Sequence, residues 1–181
     1  VVARVDGNGV VDTTTALTDF STGSNPRSAV STNGTDIWVT GGAGGPRYTT
    51  FGSTTSTQVS TTVTNLRHLN IFSSQLYVTT ASGSAVRLGA IGTGTPTTAG
   101  QTITNLPGIP SSTGNPYGFY MADFDAGVAG IDTLYLADDT SGVTKYSLVG
   151  GNWTSNGTIA GATVGLTALQ SGATTITLYA T

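Results

Sequence analysis

The sequence contains no cysteine, no glutamate, one lysine (Lys145), one methionine and one histidine in 181 residues. Without cysteine there is neither a disulfide framework nor a thiolate metal site. A single histidine, His68, cannot build a multi-histidine zinc site. Charged residues make up only 8% of the chain and the net charge is −3. So few basic residues argue against nucleic acid and against anionic membrane surfaces as partners. No apolar run approaches a membrane-spanning length, so membrane insertion is not expected. Surface helices draw on Glu, Lys, Gln, Arg, Ala and Leu, whereas strands favour Thr, Val, Ile and Tyr. The missing residues are largely the helix formers.

What is present points the same way. Threonine alone is about a fifth of the chain, and there are 26 glycines. Uncharged hydroxyl and amide groups must therefore carry solubility. An acidic, lysine-poor, Thr/Gly/Asn-rich composition is expected of a protein secreted to the extracellular space or cell surface of a bacterium. The length suits one all-β domain. The chain opens on Val1 without a methionine, so a processed product or an interior portion of something longer is expected.

A short aromatic-centred pattern recurs four times: Asp36-Ile37-Trp38-Val39-Thr40, Gln75-Leu76-Tyr77-Val78-Thr79, Thr133-Leu134-Tyr135-Leu136-Ala137 and Thr177-Leu178-Tyr179-Ala180. Trp38, Tyr77, Tyr135 and Tyr179 lie 39, 58 and 44 residues apart, near the ~40–50 residues of a propeller blade. Each segment is short and almost continuously apolar, as a strand covered on both faces should be. A further short strand precedes each one, across turns such as Asn33-Gly34 and Ser73-Ser74. After the first three come a Gly-rich turn, a third strand, and a fourth strand in which Thr alternates with Val or Ile. The spacing predicts an all-β propeller with three four-stranded blades at about 26–63, 66–104 and 116–160. Half-blades at 1–20 and 164–181 flank them. The half-blades are complementary: a third and fourth strand at the start, a first and second at the end. They could close a small ring together or belong to a larger one.

Asn25-Pro26-Arg27-Ser28-Ala29-Val30-Ser31-Thr32-Asn33-Gly34-Thr35, Gly41-Gly42-Ala43-Gly44-Gly45, Ile131 to Asp139 and Lys145 to Trp153 resemble a family of secreted bacterial β-propeller proteins, most without assigned function. Members of that family are longer, with blades on both sides. The resemblance therefore implies a larger ring of about seven or eight blades. It brings no catalytic residues.

The stretch Ala122 to Asp139 also resembles a degenerate form of the calcium loops of integrin-type (FG-GAP-like) propellers. Asp123, Asp125 and Asp132 are its candidate ligands, because Ca²⁺ takes about six to eight oxygens from carboxylates and carbonyls. Ala126 and Val128 stand where further oxygens are expected, and the competing reading is that these Asp residues cap turns. Asp138-Asp139 could suggest acid–base chemistry but reads as a polar turn closed by Gly142. His68 has no nucleophile motif near it. The Gly-rich stretches match no phosphate-loop spacing. Arg27, Arg47, Arg67 and Arg87 fall 20 residues apart on alternating strand types, which reads as coincidence.

Tyr117 and Tyr120 follow the long Pro-rich loop Leu106 to Pro116 and are the candidate ligand-binding residues, since long loops on rigid scaffolds often carry function. The alternative for this cluster is packing between blades. The expected function is a non-enzymatic binding or structural module at the cell surface. Its partner would be a surface ligand, a glycan or a protein, or another copy joined through open strand edges. The alternative is an extracellular polymer-acting hydrolase or lyase domain using the Asp cluster with a metal.

Overall fold

The computed structural model describes residues 1–181 and contains sixteen strands and no helix. Three sheets are four-stranded antiparallel meanders: β3(Pro26–Val30)-β4(Asp36–Gly41)-β5(Arg47–Thr50)-β6(Thr57–Gln58), β7(Leu66–Phe72)-β8(Gln75–Thr80)-β9(Leu88–Ile91)-β10(Ile103–Asn105), and β11(Pro116–Ala122)-β12(Thr133–Asp138)-β13(Gly142–Val149)-β14(Asn152–Ala160). Two hairpins, β1(Val2–Val5)-β2(Val11–Thr15) and β15(Leu166–Gln170)-β16(Ile176–Ala180), form separate two-stranded sheets. They do not pair with each other.

The repeated aromatic segments are the second strands. β12 is buried along its whole length and β4 at every position but the first, which is why those sequences are continuously apolar rather than alternating. The fourth strand of the last sheet is exposed at eight of nine positions, and only Trp153 turns inward. β6 is shorter than its Thr/Val alternation predicts. Beyond Gln58 its pairing continues through a single bond from Val59 N–H to Pro46 O (2.9 Å), and Val59 N–H is followed by a serine–threonine turn at Ser60–Thr62. The β7–β8 turn has both central residues, Ser73 (φ 46°) and Ser74 (φ 60°), in the left-handed region. This backbone matches the twist of a two-residue hairpin.

Three apolar clusters lie between successive sheets. Trp38, Leu66, Leu69, Leu76 and Val78 fill the first junction. Leu88, Phe119, Met121, Leu134 and Trp153 fill the second. Tyr135, Ala137, Val143 and Leu166 fill the third, against β15–β16. Each fully buried Leu or Phe contributes roughly 1.5–3 kcal/mol. The first strands follow one another through these junctions: β3 packs on β7, β7 on β11, and β11 on β15.

Hydrogen bonds repeat at the junctions. Thr40 Oγ1 donates to Arg67 O (3.1 Å) and Thr79 Oγ1 to Tyr117 O (2.7 Å). At the third junction the equivalent position is Ala137, which has no hydroxyl, and Gly118 N–H donates to Val164 O instead (3.1 Å). The N-terminal hairpin is tied to the first sheet separately. Gly52 N–H donates to Thr15 Oγ1 (2.9 Å), and the Arg4 guanidinium lies 3.7 Å from the Phe51 ring centre.

Candidate functional site

The first strand of every four-stranded sheet breaks register near its start: between Pro26 and Ser28, Leu66 and Leu69, and Pro116 and Phe119. β15 pairs with β16 without such a break. A bulge re-aims the side chains it contains, and these three contain Arg27, Arg67 with His68, and Tyr117 with Gly118. Asn25-Pro26-Arg27, Asn65-Leu66-Arg67 and Asn115-Pro116-Tyr117 are thus three copies of one local structure.

The copies are linked as a stair. Arg27 Nη1 donates to Asn65 Oδ1 (2.7 Å) and to Leu66 O (3.1 Å), the residue just before Arg67. Arg67 Nη1 donates to Asn115 O (3.1 Å) and Pro116 O (3.3 Å), just before Tyr117. The Arg67 guanidinium also lies 3.8 Å from the centre of the Tyr117 ring, a cation–π distance. Burial holds Arg67 below the usual arginine range, and the charge of Arg27 adds to this, while Tyr117, Asp139 and Asp138 act in the opposite direction. Within the 20-residue arginine series only the step from Arg27 to Arg67 is therefore structural: Arg47 pairs with Val39, and the residue matching it on β9 is Gly89, paired with Val78, not Arg87. Arg27 and Arg67 are equivalent, and their Asn-x-Arg signature is visible in the sequence once the two segments are aligned.

Of the residues expected to bind a ligand, Tyr117 has one ring face covered by Arg67. Tyr120 is half-buried and meets Phe72 edge-on at 5.4 Å. Phe119 is 1% exposed and packs on Phe72 and on the edge of His68. The packing alternative thus describes Phe119, and Tyr120 in part. Burial pushes the His68 imidazole down from its ordinary value, so it is neutral near pH 7.

The aspartate loop is organised around Asp132, which is 4% exposed. Its Oδ2 accepts from the N–H groups of Phe124 (2.8 Å) and Asp125 (2.6 Å), and its Oδ1 from Thr133 Oγ1 (2.7 Å). Burial alone would raise this carboxyl, but these hydrogen bonds outweigh it and hold it low. Asp125 Oδ1 accepts from Gly127 N–H (2.9 Å), closing its own turn, and Asp123 is exposed. The three carboxylates do not form a group able to hold a metal ion. Asp132 and Asp125 turn their oxygens to donors of their own loop, so this arrangement does not fit the calcium site that the resemblance implies.

Asp138 has the same role on a second loop. It accepts from the N–H groups of Asn115, Thr140 and Ser141 and from Thr140 Oγ1. Burial opposes its ionisation, yet these donors bring its pKa down to about 2. Asp139 accepts from the Asn115 side chain. The adjacent carboxylates thus anchor the end of the long loop, with Arg87, whose Nε donates to Gly114 O (3.0 Å). A cavity of about 120 Å³ remains under that loop, lined by Arg87, Pro110, Asp138 and Tyr146 among others. A larger one, about 440 Å³, lies between the N-terminal hairpin and the first sheet, with Val2, Phe20, Arg27 and Val39 in its wall.

No protein-family model matches this sequence, and no curated protein is significantly similar to it.

Proposed function

We propose that the chain is a non-enzymatic binding or structural module at a bacterial cell surface, with its sheets arranged as the blades of a propeller. The observation that carries the propeller reading is the succession of first strands, β3 to β7 to β11 to β15, each in the same place in its sheet and each packed on the next. Meanders that repeat this way set one edge strand along a common centre and the other at the rim, as propeller blades do. The exposure of β14 and the burial of β12 support the same assignment. On this reading the two hairpins are parts of further blades, and the ring is larger than four. The binding role rests on a charge-poor, hydroxyl-rich surface and on the placement of Arg27, Arg67 and Tyr117 along the central strands. Fold alone does not fix function, so the test is chemical. The purified chain is expected to turn over none of a broad panel of glycan, ester and phosphoester substrates. Turnover abolished by Asp132→Ala would establish the hydrolase or lyase reading instead.

A second reading concerns association. Within residues 1–181 the two hairpins have outer edges with no partner strand, and Leu169 (58%) and Tyr179 (56%) are exposed on the last of them. Such edges accept further strands from the same or another chain. Sedimentation velocity across a concentration series tests this: growth in mass supports pairing between copies, and a constant monomer removes it.

A further inference from the structure

The protein has six cationic side chains. Arg47 pairs with Asp19 at 3.7 Å, the sole ion pair. Arg4 stacks on Phe51, Arg87 is buried against carbonyls, and Lys145 is exposed on β13. The remaining two, Arg27 and Arg67, occupy equivalent positions on first strands that touch, although nothing pairs them with a carboxylate. Like charges brought together disfavour one another. A chain so short of charge has many neutral residues for those positions, and a neutral donor such as Gln could make the same carbonyl bonds.

The hydrogen bonding shows what is left over. Each guanidinium uses only Nη1 toward the next sheet. Nε and Nη2 of both have no protein acceptor. Arg27 is exposed, and neither group of Arg67 is sealed from solvent. The anchored Nη1 fixes the plane of each fork, and Tyr117 holds the Arg67 fork from beneath. Ser28 ties the two strands together, accepting from Leu69 N–H at 3.1 Å. Two anchored guanidinium groups on touching strands, each with free N–H groups and neither hydrogen-bonded to a carboxylate, match the oxygens of a carboxylate or sulfate. Asp138 and Asp139 bear on Arg67 from the third sheet, so the Arg27 side is the more open to an anion.

We propose that Arg27 and Arg67 form an oxyanion site for an acidic glycan, deepening the binding role proposed above. A glycan fits better than an acidic peptide. The site is flanked by Asn25 and Asn65, whose side-chain amides keep donors that no protein acceptor takes and that suit sugar hydroxyls.

The test is calorimetric titration of the full chain with oligogalacturonate and dextran sulfate. A neutral galactan oligomer, sodium sulfate and poly-aspartate serve as competing probes. At least one acidic glycan is expected to bind, more weakly as salt rises. Arg27→Gln and Arg67→Gln are each expected to weaken it about tenfold or more, which is ~1.4 kcal/mol. Arg4→Gln is expected to leave it unchanged. Thermal melts check that the variants fold. If Arg67→Gln does not, Arg27→Gln with Arg27→Lys, which keeps the charge and part of the affinity, decides the matter. Equal binding of neutral galactan, or preference for poly-aspartate or free sulfate over both acidic glycans, overturns the proposal. So does binding to none of these probes. Glycan binding untouched by either arginine variant also overturns it while leaving the binding-module reading standing.

Discussion

Thr79 and Tyr117 join two sheets through one hydrogen bond, from Thr79 Oγ1 to Tyr117 O at 2.7 Å. The same hydroxyl accepts from His68 N–H (3.1 Å) and is fully buried. Thr79→Val keeps the shape of the side chain but strands one buried donor and one acceptor. We expect a loss of about 2 kcal/mol in urea unfolding, with Thr79→Ser recovering most of it. A Thr79→Val variant as stable as wild type would show that packing alone holds this junction.

Gly118 stands in the third bulge just after Tyr117, as His68 stands just after Arg67 in the second. A Cβ there would lie 2.8 Å from Leu166 N, a backbone atom that cannot rotate away. Gly118→Ala is expected to push β15 off β11 at a cost of about 1–3 kcal/mol. Hydrogen exchange should report the change first in Leu166–Ala180, with β3–β10 protected as before.

Ser73 and Ser74 hold left-handed conformations that favour Asn and Gly. Ser73→Asn with Ser74→Gly should stabilise the β7–β8 hairpin by up to about 1 kcal/mol. A rise in Tm without a change in the denaturant m-value would confirm it; an unchanged or lowered Tm would contradict the turn assignment.

The hydrogen bonds from Thr140, Asn115 and Ser141 outweigh burial and bring the Asp138 carboxyl down to about 2 from the usual 3.8. A depressed carboxyl pKa stabilises the fold fully above the unfolded value. That contribution fades as pH falls from about 4 to about 2, and is worth roughly 2 kcal/mol at neutral pH. Asp138→Asn should therefore cost most near pH 7 and little at pH 2. A stability difference independent of pH would mean that the ionised form is not what the loop end requires.

Much of the fold was legible because burial on both faces leaves a direct trace. Trp38, Tyr77 and Tyr135 sit mid-strand in three second strands, and the meander around each follows from turn residues and Thr/Val alternation. Strand ends were less legible, as at β6, where a serine–threonine turn takes over from the ladder beyond Gln58. The Tyr117 and Tyr120 region was visible as aromatics after a long loop. The partnership of Arg67 with Tyr117 was not, since it joins residues 50 apart on different sheets.

The sequence by itself determined that this chain is all-β, free of disulfides and built from repeated four-strand units. Those properties depend on composition and on patterns local to each strand. Only the tertiary structure decided where the carboxylates and guanidinium groups point. Asp123, Asp125 and Asp132 are spaced as metal ligands could be, yet Asp132 turns its oxygens to backbone N–H groups and a threonine hydroxyl within its own loop. Arg27 and Arg67 looked like points in an accidental series, yet three bulges align them along touching strands. Hydrogen-bond direction and the register between distant strands settle such matters, and neither is written in the spacing of residues along the chain.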